Sequence, residues 1–194
     1  MKGNKSRCPW PANDPLMIKY HDKEWGTPLH NDRKLFEFLI LEGFQAGLSW
    51  LTILRKRENF WKAFDQFDFK KVAGYDQRKI NSLLNDSGII RNRLKIQGAI
   101  LNAKAFIEVR KEFGTFDRYI WSFSEGKTIH NGFKTLKEIP AKTELSNKIS
   151  KDLKRRGFKF VGSTIVYSHM QATGMVNDHL KECFRYKEIV QASV

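Results

Sequence analysis

Apolar positions recur at helical spacing along almost the whole chain, and the alternation that marks strands is nearly absent. The densest run, Leu35-Phe36-Glu37-Phe38-Leu39-Ile40-Leu41, predicts a buried helix capped by Asp32. Ahead of it, Asp14-Pro15 supplies an N-cap and first-turn proline for a helix from Leu16 to His21. Cys8-Pro9-Trp10-Pro11 reads as an extended loop, and Trp25-Gly26-Thr27-Pro28 as a break. Leu48, Leu51, Ile53 and Leu54 open a helix that continues to Phe64, and Asp68 caps a short one holding Val72 and Ala73. Ile80, Leu83 and Leu84 form the stripe of another, which Gly88 interrupts before a long helix from about Arg91 to Arg110. Phe113 to Ile139 is irregular, with a short helix from Tyr119 to Phe123. Thr143 starts an amphipathic helix that buries Leu145, Ile149 and Leu153 and stops at Gly157; Gly162 to Gly174 reads as a further buried helix. Asn177-Asp178 is expected to cap a last turn through Cys183, with a frayed start over residues 1–7 and a mobile tail over about 185–194. The expected fold is all-α: a single unit over residues 1–194, built from two intertwined helical lobes with a hairpin near 80–98.

Composition changes this picture in one respect. The 194 residues carry a formal charge of +14, spread over clusters at Arg55-Lys56-Arg57, at Arg91, Arg93 and Lys95, and along Lys148 to Lys159. A folded basic surface of this kind favours a polyanion, nucleic acid first; the bland alternative is a merely soluble basic surface. No apolar run approaches the ~18 residues that cross a membrane. The positive N-terminus lacks the apolar stretch of a signal peptide, so a cytoplasmic location is expected. Two cysteines near opposite ends of the chain, Cys8 and Cys183, make a disulfide framework improbable in that compartment.

Three stretches carry candidate chemistry. In Leu41-Glu42-Gly43-Phe44-Gln45-Ala46-Gly47-Leu48-Ser49-Trp50, a carboxylate ends an apolar helix, two glycines bracket a turn and a large π-face follows. The bland reading is a solvated Glu, a glycine stop and a core Trp; the functional one is a charge held in an apolar pocket, where it is costly unless used. His179 and Cys183 stand four apart, which on a helix puts two ligands on one face about 5–6 Å apart. Cys8 and His21 could complete a Cys2His2 set of the kind that holds structural zinc; otherwise the four are buried thiols and ordinary histidines. Finally, Leu83 to Arg91 joins two helices through a tight turn at Gly88. It is either a plain helix–helix turn or a helix-hairpin-helix whose N–H groups meet a phosphate, with Arg91 and Arg93 adding attraction.

Taken together, Cys8-Pro9-Trp10, Asp14-Pro15-Leu16, Tyr20-His21-Asp22, Glu24-Trp25-Gly26, Leu41-Glu42-Gly43, Gln45-Ala46-Gly47-Leu48-Ser49-Trp50, Gly88-Ile89-Ile90-Arg91, Arg155-Arg156-Gly157-Phe158-Lys159-Phe160-Val161-Gly162 and Asn177-Asp178-His179 resemble, in order, the 3-methyladenine DNA glycosylase I family. The resemblance runs from about Cys8 to Cys183. It implies a helix-hairpin-helix DNA glycosylase fold with one structural Zn2+ held by Cys8, His21, His179 and Cys183, clasping the N- and C-terminal segments. It implies a monofunctional hydrolase that flips 3-methyladenine out of alkylated double-stranded DNA. By the family pattern Glu42 reads the base edge and is the catalytic candidate, Tyr20 and Trp50 stack on the base, and Trp10 and Trp25 complete the wall. Gly47 and Leu48 match the small loop that approaches the gap left by the flipped nucleotide; Gly88, Arg91 and Arg93 of the hairpin are the candidate contacts to the DNA backbone.

One departure from the family matters: Met17 stands where many members have a further Tyr. Ile90 stands where the usual helix-hairpin-helix has a second glycine, so that general motif is incomplete. The helix after the hairpin holds no Asp and a single acid, Glu108, so the catalytic Asp of related glycosylases has no counterpart there. A monomer acting on DNA, without membrane attachment, is the expectation. The rivals are a non-catalytic zinc-containing helix-hairpin-helix DNA-binding module, a zinc hydrolase unrelated to DNA, and a glycosylase whose range includes 3-methylguanine.

Overall fold

The computed structural model describes residues 6–192. Its order is α1 (Pro15–Lys23), α2 (Asp32–Gln45), α3 (Trp50–Ala63), α4 (Phe69–Ala73), α5 (Gln77–Asn85), α6 (Arg93–Phe113), α7 (Phe116–Trp121), β1 (Ile129–His130), α8 (Glu144–Arg155), α9 (Ser163–Ala172), β2 (Val176–Asn177) and α10 (Phe184–Ala192). The strands are two residues each and pair in parallel, Ile129 with Val176 and His130 with Asn177, so the fold is all-α with one small clip.

Side-chain caps set most helix starts. Asp14 accepts from the N–H groups of Leu16 and Met17, Asp68 from Lys70 and Lys71, and Thr143 from Ser146, whose hydroxyl answers the Thr143 N–H. α2 is capped by Asn31, not by Asp32 as expected. Asp32 is spent elsewhere: it accepts from Arg110 Nε at 2.6 Å and from the N–H groups of Phe116 and Asp117 at 3.2 and 2.9 Å. Those are orphan donors of the first turn of α7, so a charge on one helix start closes another.

α2 is apolar on all sides because it is the central helix; Leu35 to Phe44 are buried without interruption. One core cluster joins it to α3–α9 through stacked and edge-on rings, among them Phe36–Phe106 at 5.2 Å, Phe106–Phe116 at 4.2 Å and Phe44–Phe60 at 4.8 Å. Each such pair adds roughly 0.5–1.5 kcal/mol beyond burial. A second, smaller cluster groups Tyr20, Trp25, Phe38, Leu54 and Ala172, with Trp10, Met17 and Trp50 against it.

Four expectations are corrected. α2 runs through Gly43 to Gln45, so the turn begins at Ala46 and the glycine at position 43 lies inside the helix. Residues 8–13 form tight turns instead of an extended loop, with Ala12 N–H bonded to the Pro9 carbonyl. Residues 178–183 are not helical; β2 and a turn carry His179 and Cys183 instead. α10 stands where a mobile tail was expected, because Ile189 is buried; residues 193–194 and 1–5 lie outside the described residues.

Candidate functional site: an aromatic pocket beside a Cys/His cluster

α1 presents Tyr20 and His21 in succession, a rotation of about 100° on a helix, and so serves two sites at once. Tyr20 enters a cavity of about 250 Å³ lined also by Trp10, Met17, Trp25, Glu42, Gln45, Trp50, Ile139, Ser168 and Gln171. That is small beside the ~300–1,000 Å³ of drug-sized sites and suits one flat heterocycle. Its rings form a continuous wall: Trp25 to Trp10 at 5.1 Å, Trp10 to Tyr20 at 6.4 Å, and Tyr20 to Trp50 at 5.3 Å. All five residues expected to meet a base — Glu42, Tyr20, Trp50, Trp10 and Trp25 — are thus brought together. Gln45, Ser168, Gln171 and Ile139 are members that the sequence reading missed. Glu42 with Gln45, and Ser168 with Gln171, are i, i+3 pairs, so each pair shares a helix face; that spacing was the available signal.

Glu42 is the polar centre of the pocket. It is 3 % exposed, its Oε2 has no hydrogen-bond partner among the described residues, and burial alone raises its pKa from 4.5 to about 8. It sits in the last turn of α2, where the helix dipole adds to the cost of a negative charge. Glu37, one and a half turns earlier and equally buried, shows what a structural acid looks like here: it bonds Arg57 Nε and Lys34 Nζ, both at 2.7 Å. The indole N–H groups of Trp10 and Trp50 are likewise buried without partners. Three unsatisfied polar groups among the residues of one cavity, each costing roughly 1–3 kcal/mol, mark a surface built to receive something. Tyr20, fully enclosed, has its phenol pushed well above its ordinary pKa by burial and by Glu42, and remains neutral.

The second site lies behind Trp25. Cys8, His21, His179 and Cys183 are all buried, with one ligand atom from each within 4.8 Å of all the others. His21 Nδ1 faces the Asp22 carboxylate at 2.8 Å, and His179 Nε2 faces the Trp25 carbonyl at 2.9 Å. Both partners can only accept, so those nitrogens carry the protons. The remaining two, His21 Nε2 and His179 Nδ1, then point lone pairs at each other across 3.2 Å. Lone pairs at that distance repel unless a cation lies between them, and Cys183 Sγ stands 3.5 and 3.6 Å from the same nitrogens. Hydrogen bonding between the two thiols lowers Cys183 below its ordinary pKa and raises Cys8, so one proton is held between them. The cluster is a site able to hold a metal ion. The expected ligand set is assembled, by a turn and not by a helix face.

The basic clusters divide on inspection. Arg57 is spent inside, between Glu37 and Glu24, and Lys95 Nζ caps α2 through the carbonyls of Phe44 and Ala46 at 2.9 and 2.6 Å. Lys56 holds the hairpin through the carbonyls of Ser87 and Gly88. Gly88 N–H is taken by Asp86 Oδ1 at 2.7 Å, so that amide is not free for a phosphate; its missing side chain lets the turn pass Asn59. Arg91 and Arg93 are exposed on the hairpin, and Leu48, 41 % exposed, stands at the tip of the loop after Gly47. Loop and hairpin flank α3 and the first turn of α6, which joins the two through Lys95.

The chain matches the model of the methyladenine glycosylase family over residues 10–186. It is 50% identical over 180 residues to a protein of Escherichia coli (strain K12) named DNA-3-methyladenine glycosylase 1, covering 93% of this chain and 96% of that one. A crystal structure of 3-methyladenine DNA glycosylase I superposes with a TM-score of 0.90 at 49% identity, covering 92% of this chain and 98% of that one. The Staphylococcus aureus 3-methyladenine DNA glycosylase I, whose structure describes 3-methyladenine recognition, has a TM-score of 0.90 at 35% identity, covering 94% and 97%.

Proposed function

The chain belongs to the methyladenine glycosylase family, and we propose that it hydrolyses the N-glycosidic bond of 3-methyladenine in alkylated double-stranded DNA, with Glu42 acting in the base pocket. The observation that carries this reading is the buried Glu42 carboxyl, whose Oε2 has no partner among the described residues, inside a wall of four aromatic rings.

The chemistry follows from charge. Methylation at N3 leaves the adenine of the nucleotide positively charged. When the C1′–N9 bond breaks, its electron pair neutralises the base; a water oxygen bonds to C1′ and gives up a proton, leaving an abasic sugar and free 3-methyladenine. The leaving group needs little help, so selection is the harder task. Ring faces of Trp10, Tyr20, Trp25 and Trp50 favour a cationic base over neutral adenine by ~0.5–2 kcal/mol each when well placed. Glu42, held near neutrality by burial, ionises when a cation arrives beside it and so binds the methylated base better than the unmodified one. Extrusion costs a few kcal/mol of unstacking; Gly47 and Leu48 fill the gap and Arg91 and Arg93 hold the backbone. No lysine among the described residues lines the pocket, which favours simple hydrolysis over Schiff-base chemistry.

Cys8, His21, His179 and Cys183 hold a structural Zn2+ in this reading. Zn–N bonds of ~2.0–2.1 Å and Zn–S bonds of ~2.3 Å at tetrahedral angles place ligand atoms about 3.3–3.8 Å apart. Four of the six separations among the ligand atoms here run from 3.2 to 3.7 Å, and all six lie within 4.8 Å. Four protein ligands leave no position for a reacting water, so the ion supplies only cohesion between the chain ends. The protein works as a monomer in the cytoplasm. The test is incubation with methylated duplex DNA and chromatographic identification of the released base. 3-Methyladenine supports the reading; no released base from folded, zinc-loaded protein leaves a DNA-binding module.

A further inference from the structure

Gln171 lines the base pocket from α9, and its amide is not free to turn. Its Nε2 lies 2.8 Å from Asp178 Oδ2. Asp178 is fully buried and receives two more hydrogen bonds, from Tyr167 OH to Oδ2 and from Asn131 Nδ2 to Oδ1, each at 2.6 Å. A carboxylate collecting three donors is an acceptor only, so the end of the Gln171 amide beside it must be the NH2. The carbonyl oxygen is therefore the end turned away from Asp178, and it accepts no hydrogen bond among the described residues. A glutamine in an open site presents a donor or an acceptor at no cost; this one is locked as an acceptor.

A lock of that kind has a use if the ligand offers a donor. The exocyclic amine of adenine carries two N–H groups, and burying both needs two acceptors, since each one left bare costs roughly 1–3 kcal/mol. Glu42 supplies one. We propose that Gln171, held as an acceptor by Asp178, supplies the second and is a specificity-determining residue that reads the exocyclic amine of the extruded base. The inference rests on the glycosylase reading. It would supply a selectivity that stacking cannot give: 3-methylguanine is also flat and cationic in DNA but has a carbonyl at the same ring position. There it would set oxygen against oxygen, and a site built for a donor rejects a ligand lacking it far more strongly than a ring face does.

The test is the ratio in which 3-methyladenine and 3-methylguanine are released from one sample of methylated duplex DNA. Gln171→Met keeps length and packing but removes the acceptor; Asp178→Asn keeps Gln171 but lets its amide turn. Each variant is checked for metal content and melting temperature, because Asp178 adjoins His179. Both are expected to lower the 3-methyladenine to 3-methylguanine ratio at least tenfold. A merely structural role would slow both releases together and leave the ratio unchanged, and that result in a folded variant overturns the proposal. Should both variants fail to fold, the wild-type pocket still decides. Quenching of its tryptophan fluorescence must show 3-methyladenine bound at least tenfold more tightly than its N6,N6-dimethyl derivative and equally tightened over the N6-monomethyl one; equal binding of all three overturns the proposal. If the wild-type protein releases no base at all, it is the glycosylase reading that fails, a result distinct from an unchanged ratio.

Discussion

The Trp25 carbonyl accepts a hydrogen bond from His179 Nε2 at 2.9 Å, and the two rings pack edge-on at 4.6 Å. Trp25 also lines the base pocket. One residue thus belongs to both sites: its backbone orients His179 of the Cys/His cluster and its ring walls the cavity. A carbonyl on the outer nitrogen of a ligating histidine fixes its tautomer and orientation; an ion held by the Cys/His cluster would order Trp25 through the same contact.

Removing the ion should therefore loosen the termini first and the pocket wall second. Cys183→Ser is expected to abolish stoichiometric zinc and lower the melting temperature by ~10 °C or more, about 3 kcal/mol at ~2–4 °C per kcal/mol for a chain of this size. Excision per folded molecule at low temperature should fall less than tenfold. Elemental analysis beside calorimetry checks this, and a zinc-free variant as stable as the parent would refute the clasp.

Two buried groups set opposite slopes of stability against pH. Burial raises Glu42 from 4.5 to about 8. Below pH ~4.5 both states hold the proton. As pH rises toward 8 the unfolded chain releases a proton that the folded one keeps, so stability falls, by about 5 kcal/mol in all. Burial lowers His169 from 6.5 to about 4, against the raising effect of the Leu35 carbonyl. Its contribution is present above pH 6.5 and is lost as pH falls toward 4, by about 3 kcal/mol. Urea titrations of wild type and Glu42→Gln at pH 4.5, 6 and 8 separate them. The variant should be the more stable by a few kcal/mol at pH 8, nearly equal at pH 4.5, and unchanged in its acid limb.

Gly174 and Gly47 both have positive φ, +73° and +80°, yet they should respond differently to alanine. A Cβ on Gly174 would lie 2.4 Å from Pro28 N and Thr27 C, backbone atoms that cannot step aside, whereas Gly47 has nothing within 4 Å. Gly174→Ala is expected to cost at least ~3 kcal/mol or to prevent folding. Gly47→Ala should cost only the ~1–2 kcal/mol of a left-handed backbone, and equilibrium urea unfolding of the pair measures the contrast.

How far the sequence carries depends on whether a signal is local. Asp14, Asp68 and Thr143 were readable as caps because a cap needs only its own next three residues. Asp32 was misread because its partners, Arg110 and the start of α7, lie more than seventy positions away. The four residues expected to share a metal do come together, while the helix expected to pair His179 with Cys183 is absent: a turn meets the same spacing. Gln171 and Ser168 carried only the weak signal of i, i+3 spacing, because a polar pair on an otherwise buried helix looks ordinary until its facing cavity is known. Arg57 and Lys95 were read as surface charge, since nothing in a sequence marks a cation committed to Glu37 or to a helix end.

The central claim is that the unpaired carboxyl of Glu42 distinguishes the methylated base. The most direct measurement is the single-turnover excision rate on a duplex bearing 3-methyladenine, for wild type and Glu42→Gln, with duplex affinity measured beside it. The account predicts a rate lowered by about a hundredfold, an interaction of the ~3 kcal/mol range expected when a charge-stabilising group is removed, with affinity for the duplex within about threefold. Equal rates in a folded variant would contradict it and move the chemistry away from Glu42.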